Sequence, residues 1–492
     1  MTRQRLALAP LMAVLVLAGC ATAPTPPQAQ IEVPTSFKEA APETAASATA
    51  SGQWKPAEPA EAQTRGAWWL AFNDPALNQL EQQAEAASPN LAAAAARLKA
   101  ARAALRGSQA DRLPQFGASF GATRQKQSPV DRGQPAGTAV DPSTAWRAGL
   151  TASYEVDLFQ RVANGIEAAT FDAAATEAAY HSVLLALQAD VAQTYFQLRT
   201  LDAEAALLDR TLGLRQENLQ LTEKRYKSGD ISEFDTARAR TEYNTTLAES
   251  RGLKGSRAQA EHALALLLGQ APAAFNAPVA PLTSAAAVPS VPAGLPSALL
   301  ERRPDVAAAQ AQMMAANARV GLAKSAIFPA LMLTANGGYA SYELSDLFKW
   351  DARTWLASAV LSLPIFDGGR NRANITRAEA SLEESVASYR QSVLGAFGDV
   401  EDKLSALNAV RGQAEALDQA VVSARRSAEL ADKRYRAGED SYLTLIDTQR
   451  SLLAIERQAV QLRGAWATST VGLIRALGGS WAPAGGVVAS KS

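Results

Sequence analysis

The stretch KRYRAGEDSYLTLIDTQRSLL, Lys433 to Leu453, echoes one 209 residues earlier, KRYKSGDISEFDTARARTEYN, Lys224 to Asn244. Both keep Lys-Arg-Tyr, a Gly three places after the Tyr and a Ser three places after the Gly. Each reads locally as a turn between two helices. Gly229 and Gly438 supply the left-handed position that ends a helix, and Lys224, Arg225, Lys227, Lys433, Arg434 and Arg436 face the negative end of its dipole. Ser232 and Ser441 stand at the N-caps of the returning helices. Beyond the caps come Asp235 and Asp447, with Phe234, Leu443, Arg238 and Arg450 nearby; capping leaves these unexplained.

The echo extends outward. At the same offset Arg161 meets Arg370, Tyr180 meets Tyr389, Asp190-Val191 meets Asp399-Val400, and Leu268-Gly269 meets Leu477-Gly478. Upstream, ARAALRGSQADRLP (Ala101 to Pro114) matches ANARVGLAKSAIFP (Ala316 to Pro329) at a slightly different offset. The chain is one supersecondary unit written twice.

Within each copy the hydrophobic period changes from two to helical. Phe116, Ala118, Phe120 and Ala122 alternate with Gly117, Ser119, Gly121 and Thr123; Trp146, Ala148, Leu150, Ala152, Tyr154 and Val156 alternate with Arg147, Gly149, Thr151, Ser153, Glu155 and Asp157. These alternations predict two strands. Leu331 to Tyr339 and Trp355 to Leu363 repeat the plan more weakly. Each hairpin is followed by roughly 65 residues without proline, rich in Ala, Leu, Glu, Gln and Arg, which as a helix would be about 100 Å long. A second helix of about forty residues returns from Ser232 or Ser441.

The expected organisation is α+β. Residues 66–270 form the first copy, with strands about 114–156 and long helices about 161–268; residues 298–479 form the second, with strands about 330–364 and helices about 370–477. Residues 271–297 are a Pro/Ala-rich linker, since six prolines between Ala271 and Pro296 suit neither helix nor strand. Residues 480–492 are a C-terminal tail.

Arg3 and Arg5, the apolar run Leu6 to Leu17, and Leu17-Ala18-Gly19-Cys20 read as a lipoprotein signal over residues 1–19, with Cys20 the lipidated first residue of the mature chain. Residues 20–65, poor in core formers, read as a flexible tether. Cys20 is the only cysteine, so neither a disulfide within the chain nor a thiolate metal cluster is available. Lys+Arg equals Asp+Glu at 48 each, which gives no electrostatic reason for a nucleic-acid partner.

With two histidines, no His-Glu-x-x-His and no spaced glycines before Lys324, the chain is not read as an enzyme and no cofactor is expected beyond the lipid on Cys20. After the signal no apolar run is long enough for a membrane helix, so any crossing is by strands. Four strands cannot close a membrane barrel, because the smallest have about eight, and open edges in lipid are costly. Two copies would supply eight strands and three copies twelve; only the larger number leaves a wide lumen above twelve long helices that form a continuous tube, so three is the favoured number.

WWLAFNDPALNQLEQQA, ERRPDVAAAQAQMMAANARVGLAKSAIFPALML, LPIFDGGRNRANI and the opening stretch together resemble the TolC family of outer-membrane efflux lipoproteins, nearest its OprM-type branch. The resemblance covers the chain from Ala67 onward. It implies a homotrimer with a 12-strand outer-membrane β-barrel and a periplasmic α-helical barrel. The partners it implies are a periplasmic adaptor and an inner-membrane pump of the resistance-nodulation-division class, for which the chain is a passive exit duct. It further implies an aperture lined by Leu443 and Asp447, with Asp235, Arg238, Tyr435 and Arg450 in the network that holds the helices together. Asp440 departs from the TolC type, which has an Arg there, so a latch through that Arg is not carried over. The rival reading is a periplasmic coiled-coil adaptor or scaffold lipoprotein, which needs long antiparallel helices and an anchor but not four matched strands.

Overall fold

The computed structural model describes residues 23–25, 33–40, 66–282, 288, 289, 291 and 302–479. Cys20 and the C-terminal tail lie outside the described residues.

The first copy runs α1 (Pro75–Ala87), α2 (Pro89–Ala110), β1 (Gln115–Gln125), β2 (Ser143–Val156), α3 (Arg161–Lys227) and α4 (Glu233–Leu267). The second runs α5 (Pro304–Ser325), β3 (Ala330–Ser341), β4 (Arg353–Ser362), α6 (Arg370–Ala437) and α7 (Tyr442–Ala476). At 67 and 68 residues, α3 and α6 are each about 100 Å long. A helix of 22 residues precedes each hairpin, α2 in one copy and α5 in the other, an element that the strand-first reading of each copy did not contain.

Local chemistry sets the boundaries. Asp74 accepts from the amides of Ala76 and Leu77 at 2.9 and 3.3 Å, with Pro75 at the first helical position of α1. Asp157 accepts from Val162 and Ala163 at the start of α3, and Asp367 from Gly369 and Asn371 at the start of α6. At the far end of α4 the chain passes through Gly269 at φ +68°, and after α7 through Gly478 at +87°.

The chain divides into two compact units. One comprises 1–30, 97–176 and 308–390 and contains a single antiparallel sheet in the order β1-β2-β3-β4. The register pairs Ala118 with Leu150, Leu150 with Gly337 and Gly337 with Trp355. Because side chains alternate across a strand, this register gathers most apolar positions of the four strands onto one face, while Met332, Leu356 and Val360 fall on the other. Phe116, Phe120, Leu150, Trp355 and Leu361 on that face are exposed in the single chain, Trp355 to 82%.

The other unit comprises 31–96, 177–307 and 391–492. Its core joins the turn Trp68–Phe72 to α1, α3 and α7: Trp68, Trp69, Phe72, Leu77, Tyr195, Phe196, Val471 and Ile474 are buried together. Trp68 Nε1 donates to Gln188 Oε1 at 3.1 Å, and the Tyr195 hydroxyl donates to Asp74 at 2.6 Å. Gly464 lets α7 approach α3, since a Cβ there would lie 2.1 Å from Thr200 Oγ1. Glu81 is fully buried with both carboxyl oxygens unpaired among the described residues; burial, and then Glu85, push its pKa up to about 9, so it is held as the neutral acid at pH 7.

The stretch after α4 is clamped onto the helices. Asp202, buried on α3, pairs with Arg199 at 3.1 Å and with Arg257 of α4 at 2.7 Å. These arginines donate to the carbonyls of Pro278 and Ala277, and Glu261 accepts from the Ala277 amide. After the short 3-10 turn Pro272–Ala274, side chains rather than a regular ladder satisfy backbone groups between Ala277 and Ala280.

The tether reading is corrected at two places. Glu401 accepts from the amides of Lys38 and Glu39 at 2.8 and 3.0 Å, and Asn408 donates to the Glu39 carbonyl, with Phe37 buried beside them. In the first unit Asn317 donates to the Pro24 carbonyl at 3.1 Å. One aromatic ring and a few satisfied backbone groups suffice to seat a segment whose composition is otherwise that of free chain.

Candidate functional site

Both turns close by the same backbone device. Gly229 (φ +81°) donates to the Tyr226 carbonyl and Asp230 to Arg225; Gly438 (φ +76°) donates to Tyr435 and Glu439 to Arg434. This is the paired bonding of a Schellman cap. The returning helices differ. Ser441 accepts from the Thr444 amide at 3.3 Å, whereas the Ser232 hydroxyl turns to Asp235 and caps no amide, which corrects the reading of Ser232 as its equal.

Behind the turns Ala239, Ala431, Tyr435, Tyr442, Leu445 and Ile446 form a small core of their own. The Tyr435 and Tyr442 rings lie 5.5 Å apart, and the Arg225 guanidinium lies 5.2 Å from the Tyr435 ring centre. Tyr435 thus joins the two copies' turns, while its counterpart Tyr226 is 45% exposed.

Of the expected aperture residues, Asp447 and Arg450 stand together on the first turns of α7, 3.8 Å apart and both more than half exposed. Leu443 is exposed one turn earlier. Among the described residues the hydrogen-bond and ring contacts of Asp235 and Arg238 are local: Asp235 accepts from Ser232, and Arg238 lies over the Phe234 ring at 5.1 Å. Within the chain neither reaches Asp447 or Arg450.

The sequence reading missed the residue between α4 and α7. Glu242, buried on α4, accepts from Arg450 Nε at 2.9 Å and pairs also with the buried Arg215 of α3. Burial alone would raise the Glu242 pKa, but Arg450 and Arg215 outweigh it and hold the carboxyl below its ordinary 4.5. Seven residues on, Arg457 pairs with Glu249 at 3.1 Å and with the buried Glu204 at 2.6 Å. The signal was in the spacing: Glu242 and Glu249, like Arg450 and Arg457, are seven apart and so share a helix face.

In the sheet unit, the face opposite the apolar one carries Gly117, Ser119, Gly121, Thr123, Thr151, Ser153, Thr334, Asn336 and Ser358, interrupted by Met332, Leu356 and Val360 of the second hairpin. Its two charged residues are Arg147 and Glu155, and Glu155 is taken up by an ion pair with Arg161. Apolar without and polar within is the pattern of a strand wall between lipid and water.

The sequence profile of the family described as "Outer membrane efflux protein" matches residues 80–270 and 295–479. The chain belongs to that family. It is 37% identical over 410 residues to the solvent efflux pump outer membrane protein SrpC of Pseudomonas putida, covering 83% of this chain and 86% of SrpC. It is 34% identical over 472 residues to the outer membrane protein OprJ of Pseudomonas aeruginosa, covering 96% and 95%. Among solved structures, the outer-membrane channel OprN superposes with a TM-score of 0.83 at 29% identity, covering 94% of this chain and 99% of that one. The open state of the Neisseria gonorrhoeae MtrE channel gives 0.80 at 28% identity, covering 93% and 98%. The fold of this efflux protein is therefore that of the TolC-type channels, and its place is the outer membrane.

Proposed function

We propose that three copies of this chain assemble into a 12-strand outer-membrane barrel and a periplasmic helical tube. Together these serve as the passive exit duct for small molecules that an inner-membrane pump and a periplasmic adaptor deliver. The single observation that carries this is the sheet. Its four strands share one exposed apolar face and one largely polar face, and its edges β1 and β4 are unpaired among the described residues. Such edges do not persist in lipid, and a ring in which β4 of one copy meets β1 of the next removes them all.

At the other end of the helices, the ring brings together six turns. Leu443 and Asp447 line the aperture in this reading, and the Arg450–Glu242–Arg215 group ties α7 to α4 and α3 behind it. Three Asp447 carboxylates near one axis favour cations. The anchor is an acylated Cys20. The names of SrpC and OprJ support efflux and the outer membrane, and the paired strands disfavour an adaptor.

Native mass spectrometry of the protein in detergent is expected to give three chains per particle, and a monomer or dimer would refute the reading. Mass analysis of the N-terminus is expected to show a lipid-modified Cys20; an unmodified cysteine would remove the anchor.

A further inference from the structure

Arg147 is the one charge on the polar face of the sheet that nothing in this chain neutralises. Its cross-strand neighbours are Gly121 on β1 and Ala340 on β3, and the diagonal positions are Ser119, Thr123 and Gly338. None is acidic. Arg147 is exposed and, among the described residues, makes no hydrogen bond or ion pair. β2 is an inner strand of the sheet, so its neighbours on that face belong to this chain however many copies close the ring. No second copy can bring an acid beside it within the sheet. Small flanking residues leave the guanidinium standing clear of the wall, toward the end that carries the long β1–β2 loop, which in outer-membrane barrels is the extracellular end.

We propose, resting on the duct reading above, that Arg147 is a selectivity residue that gives the outer stretch of the lumen a preference for anionic cargo: small carboxylates, phosphates or sulfonates. A ring of three unpaired guanidinium groups on a lumen wall attracts anions and repels cations that pass within a Debye length, ~8 Å at physiological salt. This is opposite in sign to the Asp447 turns. A molecule with a negative group is drawn forward at the exit, and simple cations are discouraged from entering there.

The test uses the full-length protein in the outer membrane of intact cells, so that only the external mouth is reached. Thr123→Cys places a thiol on the polar face diagonal to Arg147, and Ala122→Cys places one on the apolar face. The protein without either substitution controls for Cys20. Thiols are titrated from outside with a membrane-impermeant anionic thiosulfonate and with a cationic one of similar size. Thr123→Cys is expected to react, and the anionic-to-cationic rate ratio is expected to fall about two- to sixfold when Arg147→Gln is added. Arg147→Lys is expected to retain most of the ratio. A reactive Thr123→Cys whose ratio ignores Arg147→Gln overturns the proposal and leaves the duct reading standing. If Ala122→Cys reacts as fast as Thr123→Cys, the polar face is not a lumen, and both fall.

Discussion

The two turns at the ends of the long helix pairs are built from the same words and used differently. Gly229 and Gly438 share a positive φ and the same carbonyl bonds, so backbone closure is a property of the repeat. What distinguishes them lies in their side chains. Tyr435 is buried where Tyr226 is exposed, and Ser441 caps where Ser232 does not. Arg238 and Asp447, at equivalent positions, carry opposite charge. The repeat supplies two turns of like backbone, and one of them carries an exposed acid on its returning helix and a buried tyrosine behind it. A repeat fixes where a chain turns, while function is decided by what each turn touches.

The sharpest break of the comparison is at the tyrosines. Tyr435→Ala empties the small core behind the turns and is expected to destabilise that end by about 3–4 kcal/mol, against less than about 0.5 for Tyr226→Ala, read by hydrogen exchange in α6 and α7. Tyr435→Phe removes a hydroxyl that has no partner among the described residues and is expected to cost nothing measurable.

Next is Glu242. Glu242→Gln leaves the buried Arg215 without its counter-charge, an expected cost of about 3 kcal/mol, and is expected to raise resting conductance in planar bilayers. Arg450, half-exposed, is the smaller loss at about 1 kcal/mol. The same site sets a pH dependence. A carboxyl held below its ordinary value stabilises the fold fully above about pH 4.5, and that contribution disappears as pH falls through the lower folded value. Conductance is therefore expected to rise in acid and, in Glu242→Gln, to lose that component. A wild-type channel indifferent to acid would count against the bridge as a restraint.

The smallest effects test capping and backbone. Ser441→Ala is expected to cost about 1 kcal/mol and Ser232→Ala close to none. At the strand-to-helix junctions, Gln160 holds φ +60° where its counterpart at the same repeat offset is Gly369 at +88°. Gln160→Gly is expected to gain about 0.5–1 kcal/mol in thermal unfolding, and a loss would mean that the Gln side chain contributes there.

Much of this was legible in the residues. The alternation from Phe116 to Thr123 and from Trp146 to Asp157 marks strands because a period of two has one cause, and the Lys-Arg-Tyr echo marks the turns because glycine and cap residues act locally. The helices ahead of each hairpin were less legible. α2 is so rich in alanine that its faces hardly differ, and only Leu91 and Ala94 are buried. The seat of Phe37 on α6 and the bond from Arg450 to Glu242, 208 residues away in sequence, are tertiary contacts that no local pattern announces. The expectation that Leu443 and Asp447 line an aperture came from resemblance, and what ties α7 to its neighbours beside them came from the structure.

The account turns on the claim that the second copy's turn, and not the first, forms the charged aperture of a three-chain duct. The measurement that addresses it is reversal potential in planar bilayers under a KCl gradient, for the wild type and for substitutions at the two equivalent positions, Asp447→Asn and Arg238→Gln. The account predicts a cation-preferring wild type whose preference falls with Asp447→Asn and holds with Arg238→Gln. An unchanged preference in a conducting Asp447→Asn trimer, or an equal fall from both substitutions, would contradict it.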